Sequence, residues 1–379
     1  MNRHAPFQSA LSVAPVRLLG LRGQCIKVLF VLTGLLWQQG PVHLRSSLVL
    51  VPVIVQQEDG TPITDLTRED FLLQEGGRKR SIAYFDREEL PLDVALVLEP
   101  PNASSEEEAE RIRDRPNHPE RDVSPPGLPT TQEEFKRWAT IWVAALWVLE
   151  GLGSNDGVAL FTTCGTLKHP LTNDLAVIRE KIRELATTIE ICPSGRFLDR
   201  AELVALSSYL ERASGRRSQR VILIISDNHI FPRKPGPSLD EVRKKVLVAN
   251  AVVCGIGIEN RGCATLRRAF MVIAPPLIPL LLASVKDIAY FSQISGGIAT
   301  PADFSSAEAI SRAASLVGGF LQKLRRSYIL GFWPDEQAKI GEVREIRIEL
   351  ARPVRRRYPH VRLHYRRSYV ITEHSRASP

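Results

Sequence analysis

A chain of 379 residues, 44% hydrophobic and 24% charged, has the make-up of a globular protein, with room for one large domain and a smaller one or for two to three small ones. Its formal charge of +8 is unevenly spread, and no RNA- or DNA-binding motif accompanies the basic residues, so nucleic acid is not an expected partner. Nor does any Cys-x-x-Cys or His/Cys spacing suggest zinc.

In chain order, Arg3, Arg17, Arg22 and Lys27 precede an apolar run at 28–37. The run is too short for a comfortable membrane span and has the length of a signal-peptide core. Residues 1–40 therefore read as an export signal. The export signal is preferred over a cytoplasmic helix; Gln38-Gln39-Gly40 is an incomplete cleavage pattern, so an uncleaved N-terminal anchor is a further reading. Export places the remainder in the periplasm, outside the cell, or tethered to the membrane by that segment.

Residues 46–88 read as a β segment. The run at 48–55 predicts a strand, with Pro52 marking an edge. Asp59-Gly60 is a turn signal, and Thr67 is placed to cap a single helical turn. Stretches 71–75 and 80–85 flank Gly76-Gly77 as a hairpin. A unit this small buries no core alone.

From Pro91 onward strands alternate with helices, the pattern of an α/β domain over 90–325. Residues 92–99 (LDVALVLE) and 221–227 (VILIISD) are near-continuous apolar runs that each end in a carboxylate. Such runs predict parallel strands buried on both faces, and ligands of such sheets sit at the carboxyl ends of the strands. The stretch 104–131, rich in Glu, Arg and Pro, reads as a flexible, solvated insertion. A helix is predicted over 133–152, with Phe135, Trp138, Trp142, Leu146 and Leu149 as a core stripe. A strand at 157–162, a helix capped by Asp174 and running to Ala186, and a helix over 198–212 follow. Ser238 opens a helix to Val248, 251–258 is a strand, and 283–294 is a helix stopped by Gly296-Gly297. Ser305 or Ser306 caps a last helix ending near Leu324. Pro275, Pro276 and Pro279 make the apolar stretch 270–285 a buried or partner-facing loop rather than a span.

The tail, 326–372, returns to β, with strands at 326–332, 344–350 and 361–365. Economy suggests that the β elements on either side of the α/β block pair into one module. Arg352, Arg355, Arg356, Arg357, Arg362, Arg366 and Arg367 crowd this tail with no acid among them. They read as a solvated strand face, or as a surface for an anionic envelope. Of the five cysteines, removal of the signal would leave Cys164, Cys192, Cys254 and Cys263, with three possible pairings and no means of choosing. For Cys164 and Cys254, near strand ends, a buried free thiol is the simpler expectation.

Taken together these pieces resemble the von Willebrand factor type A (VWA) fold, and within it the bacterial VWFA-related family first noted in acidobacterial proteins. The resemblance runs from about 48 to 371. It rests on TPITDLTREDF at 61–71, PLDVALVL at 91–98, IISD at 224–227, ISGG at 294–297 and SYILGF at 327–332, in that order. It implies a Rossmann-like α/β domain, its central, mostly parallel sheet wrapped by helices. It also implies a metal-ion-dependent adhesion site at the strand ends, built from an Asp-x-Ser-x-Ser loop, a Thr and a second Asp, in which Mg²⁺ takes oxygen ligands and a partner carboxylate completes the octahedron.

Mapped onto that motif, Glu99 takes the first Asp position, while Pro101 and Ala103 fall where the serines belong. Gly195-Arg196 aligns with the Gly-Thr loop, so Arg replaces Thr, and only Asp227 is intact, followed by Asn228. The expected ligand-binding set is therefore Glu99, Asn102, Ser104, Arg196, Asp227 and Asn228, without a metal. The Arg196 guanidinium would stand between Glu99 and Asp227 as a fixed cation. The alternative keeps Mg²⁺ on Glu99, Ser104 and Asp227, with Asn102 beside them.

The expected function is a non-enzymatic, exported, adhesion-like domain that binds another protein. An enzyme would draw its base from His118, His169 or His229 and its nucleophile from Ser194 or Ser226, but no nucleophile elbow, phosphate loop or HExxH is present. A third reading is an envelope-surface scaffold using the Arg-rich tail.

Overall fold

The computed structural model describes residues 48–372 except 88, 100, 104, 108, 111–130, 193–199, 215–217, 227–235, 259–282, 303–305 and 336. The described elements belong to the unit Ser46–Pro379. The expected signal or anchor, 1–40, lies outside the described residues, as do 111–130 of the insertion and 270–282 of the apolar loop.

In chain order the elements are β1 (Val49–Gln57), a 3-10 turn (Arg68–Asp70), β2 (Phe71–Glu75), β3 (Arg78–Arg80), β4 (Tyr84–Asp86), β5 (Leu92–Leu98) and β6 (Asn102–Ala103). Next come α1 (Thr131–Glu150), β7 (Gly157–Thr162), β8 (Leu167–Thr172), α2 (Leu175–Ala186), β9 (Glu190–Ile191), α3 (Arg200–Ala213), β10 (Gln219–Ser226) and α4 (Leu239–Val248). The chain continues through β11 (Ala251–Ile258), α5 (Ala283–Ser295), β12 (Ala299–Ala302), α6 (Ala307–Arg325) and β13 (Tyr328–Phe332). It closes with β14 (Val343–Leu350), α7 (Arg352–Arg357), β15 (Val361–His364) and β16 (Ser368–Val370).

Apart from Asp93 and Thr162, β5 and β7 are apolar, and every residue of both strands is buried. They sit inside a sheet of order β12-β11-β10-β5-β7-β8, parallel throughout except for the antiparallel edge strand β8. Strand periodicity splits the side chains between two cores. Val94, Leu96, Leu160 and Leu223 face α1, α2 and α6 through Ile141, Ile182 and Phe320. Ala95, Val97, Phe161 and Ile224 face α3, α4 and α5 through Leu206, Val246 and Phe291. Numbered by themselves in chain order, these six strands run 3-2-1-4-5-6, a doubly wound α/β sheet whose order reverses between β5 and β10.

The flanking strands interleave. One sheet has the order β15-β1-β13-β4 and the other β16-β14-β2-β3, and the pairings within both are antiparallel. Each joins strands from before and after the α/β block around one core that includes Val51, Val53, Phe71, Tyr328, Phe332, Ile348 and Tyr369. Ile54, on β1, faces the α/β core instead and ties the two parts together. Buried Glu75 accepts from Tyr369 Oη and, at 2.7 Å, from Arg80 Nε, so the sandwich carries a charged network of its own.

Local signals account for several helix ends. Asp174 Oδ1 accepts from the backbone N–H groups of Ala176 and Val177, Ser238 forms a capping box with Glu241, and Ser306, not Ser305, caps α6. Gly296 ends α5 at φ +84°, and a Cβ on Gly297 would lie 2.0 Å from the Val253 carbonyl oxygen, so only glycine allows this close crossing.

Several expectations need correction. The second arm of the Gly76-Gly77 hairpin stops at Arg80, and β4 pairs with β13 in the other sheet. Pro52 is not on an edge strand: β1 is internal, pairing with β13 over Val49–Val53 and with β15 over Ile54–Gln57. Proline fits there because only the β13 side is laddered at that point. Edge strands β8 and β12 carry Pro170 and Pro301 and show no clean alternation, which hid them in the sequence. Ala109, inside the presumed solvated insertion, is buried against Ile189 and Ile191.

The arginine tail is not one strand face. Pro353 at the start of α7 begins a helical turn that buries Val354. Arg357 pairs with Asp65 and Arg362 with Glu58, both at 3.5 Å. Arg366 donates to Leu50 O at 2.6 Å and to Asn250 Oδ1 at 2.7 Å. The acids absent from 352–367 come from elsewhere in the chain.

Candidate functional site

The crest of the central sheet, where β5, β7 and β10 end, lies at the point of strand-order reversal, which is where open α/β sheets bind ligands. Glu99 follows β5 directly and is buried. Its backbone N–H donates to Ile225 O at 3.2 Å, and its Oε2 accepts from Ser226 Oγ, at the end of β10, at 2.8 Å. On the other side Thr163 N donates to Leu98 O at 2.9 Å. The hydroxyls of Thr162 and Thr163 are buried, with no hydrogen-bond partner among the described residues.

Past Glu99 the chain does not stay open. Pro101 O accepts from Glu190 N at 2.7 Å, and β6 pairs with β9 in a short parallel ladder, Asn102 opposite Glu190 and Ala103 opposite Ile191. Lys168, on β8, reaches Glu190 Oε1 at 3.0 Å. Cys192, next to β9, forms a disulfide with Cys164, two residues beyond β7, with a Cα–Cα distance of 5.4 Å that suits the bond. The free-thiol expectation is thus wrong for Cys164 and right for Cys254, whose buried thiol is pushed up to about 12 by desolvation.

Of the expected ligand-binding set, Glu99 and the backbone of Asn102 are described; Ser104, Arg196, Asp227 and Asn228 lie outside the described residues, and so does the Arg196 ion pair. Ser226, considered only as a nucleophile, is instead the hydrogen-bond partner of Glu99. No motif flagged that contact, which arises because parallel pairing sets Ile225 opposite Leu98 and so brings the two following residues together. The disulfide was equally invisible, since cysteine spacing does not select a pairing. Among the candidate bases, His169 lies on edge strand β8 with Nδ1 2.7 Å from Pro170 O; His118 and His229, like Ser194, fall outside the described residues.

Among the described residues, the crest offers few oxygen donors for the Mg²⁺ that the resemblance implies. Pro101 and Ala103 offer no side-chain oxygen, the main chain at 101–103 is committed to Glu190 and Ile191, and Glu99 already accepts from Ser226. An octahedral magnesium site needs several well-placed oxygens at about 2.0–2.1 Å. Among the described residues no group of three or more His, Cys, Asp or Glu side chains is placed to hold a metal ion.

No family model and no curated protein matches the chain. Partial overlaps with solved structures include a von Willebrand factor type A protein from Catenulispora acidiphila, at 8% identity and TM-score 0.37, covering 88% of this chain and 76% of that one. The conserved hypothetical protein BatB from Bacteroides thetaiotaomicron overlaps at 17% identity and TM-score 0.31, covering 60% of this chain and 98% of the other. The PilB minor pilin from Streptococcus sanguinis overlaps at 10% identity and TM-score 0.32, with 63% of each chain covered. The ground for the fold is the chain's own topology. A doubly wound, mostly parallel sheet with helices on both faces and its crest at the reversal point is the Rossmann-like α/β architecture that the VWA resemblance implies, here joined to two smaller antiparallel sheets.

Proposed function

We propose that this chain is a non-enzymatic, exported protein-interaction module of adhesion-like character, whose VWA crest is a degenerate metal-ion-dependent adhesion site that binds its partner without metal. The observation that carries the reading is the engagement of Glu99 by Ser226 at the switch point, followed by Pro101 and Ala103 where oxygen donors are needed. Recognition then falls to the side chains of Glu99, Asn102, Ser104, Arg196, Asp227 and Asn228. The Cys164–Cys192 disulfide supports export, because such bonds persist in oxidising compartments. Among the described residues no helix is long and apolar enough to cross a membrane.

Thermal unfolding in the presence of Mg²⁺ or Mn²⁺ tests this. A resident ion at 100 times its dissociation constant would add about 2.7 kcal/mol by mass action. The expected result is no shift in Tm; a saturable rise would overturn the metal-free reading in favour of Mg²⁺ on Glu99, Ser104 and Asp227.

The exposed Arg352, Arg355 and Arg356 on α7 favour one second contact, with an anionic envelope surface. Binding to vesicles containing anionic lipid is expected to weaken with salt and to vanish when these three become Ser. Binding that ignores salt would remove this contact.

A further inference from the structure

The geometry points to a covalent clamp at the crest: the Cys164–Cys192 disulfide, acting through the β6–β9 ladder, holds the loops that a divalent cation would otherwise draw together. The inference rests on the metal-free reading above and extends it to what orders the binding face.

Three loops meet here. The loop leaving β5 runs through Pro101, Asn102 and Ala103; the loop leaving β7 carries Thr163 and Cys164; the segment after α2 carries Ile189, Glu190, Ile191 and Cys192. A two-residue ladder between β6 and β9 is marginal by itself, because strand pairs this short do not hold in water. Three other contacts converge on it. Ala109 closes over Ile189 and Ile191 on one side, Lys168 pairs with Glu190 from β8, and the disulfide ties the residue after β9 to the end of β7. Thr163 is in turn hydrogen-bonded to Leu98, one residue before Glu99. The covalent path therefore runs from the central sheet at β7 to β9, and from there by backbone hydrogen bonds to the loop beyond Glu99. In this arrangement the β5 loop is positioned without any ligand shared between loops.

Cutting the clamp is simple chemistry. A dithiol such as dithiothreitol attacks one sulfur as its thiolate, the Cys164–Cys192 bond breaks, and the second thiol of the reagent closes to the cyclic disulfide. Two electrons and two protons end on the two cysteines, and the reagent carries the new S–S bond.

The test is hydrogen–deuterium exchange on the full chain, oxidised, reduced, and as the Cys164→Ala/Cys192→Ala double variant, each with Mg²⁺ or with EDTA. Peptides spanning 99–110 and 186–192 report the crest, and a peptide from β14 reports the sandwich. Loss of the disulfide is verified by alkylation. Reduction and the double variant are both expected to speed exchange at the crest by about tenfold or more while β14 stays unchanged, and Mg²⁺ is expected to alter neither form. Crest exchange unchanged after verified reduction would overturn the clamp and leave the metal-free reading intact. Mg²⁺ slowing exchange at the same amides would overturn both, because a cation would then be holding the loops. The double variant separates the effect of the bond from that of the reagent.

Discussion

Glu99 and Ser226 show how much a single contact between strand ends can decide. In isolation each is an ordinary polar residue after an apolar run, and in the structure their 2.8 Å hydrogen bond closes the seam between the two halves of the sheet. Ser226→Ala leaves a buried carboxylate oxygen without this donor, which costs about 1–3 kcal/mol. The urea midpoint should fall accordingly at unchanged m-value, with the far-UV spectrum preserved. A neutral outcome would mean that the contact is not what holds the seam. The place of Glu99 at a strand end was legible in the sequence, because buried parallel strands announce themselves as near-continuous apolar runs. The partner of Glu99 was not, because register is a property of two strands together.

At the level of elements, the junction of α6 with β1 and β15 is pH-sensitive by construction. Lys323 Nζ donates to Gln56 Oε1 at 2.8 Å, which turns the Gln56 amide nitrogen toward His364 Nε2 at 3.1 Å. An amide N–H needs an acceptor, so His364 must be neutral with Nε2 unprotonated. Burial first, and then the nearby charges of Lys323, Arg362 and Arg367, hold its pKa below the ordinary histidine value, while Phe320 meets its ring edge-on. Since the folded pKa is the lower one, the unfolded chain binds the extra proton first as pH drops. The stability that neutral His364 confers is full above about pH 6.5 and is lost as pH falls through the depressed folded value. Chemical denaturation from pH 8 to pH 5 should show this slope, and His364→Gln, which keeps an acceptor but does not titrate, should flatten it. An identical slope in the variant would assign the effect elsewhere. Helix caps were readable locally, as Asp174, Ser238 and Ser306 show, because a cap is a contact between near neighbours. Edge strands β8 and β12 were not, because proline and weak alternation leave an edge strand nothing to distinguish it from a loop.

On the scale of the whole molecule, the β strands before and after the α/β block are one structure. β1 lies between β13 and β15, and β2 pairs with β14, so neither end of the chain builds a sheet without the other. Ending the chain at residue 325 removes β13 to β16 and leaves Val51, Val53, Phe71 and Leu73 without the strands that cover them. Such a truncation should be insoluble or lose the cooperative transition, whereas an α/β core that unfolded with native Tm would show the sandwich to be dispensable. That the sandwich would close from both ends was foreseeable from economy of strands. Its division into two four-stranded sheets, and the transfer of the chain from β3 to β4 between them, was not.

What the sequence determined by itself is the α/β class with buried parallel strands and the place of Glu99 at a strand end. These follow from composition and period, which each segment carries alone. Tertiary structure alone decided that Cys164 joins Cys192, that Ser226 engages Glu99, and that the tail arginines find Glu58, Asp65, Leu50 and Asn250. Each of those contacts joins residues 28 to 316 positions apart; local pattern cannot encode them, since only the packed sheets bring the partners within bonding distance.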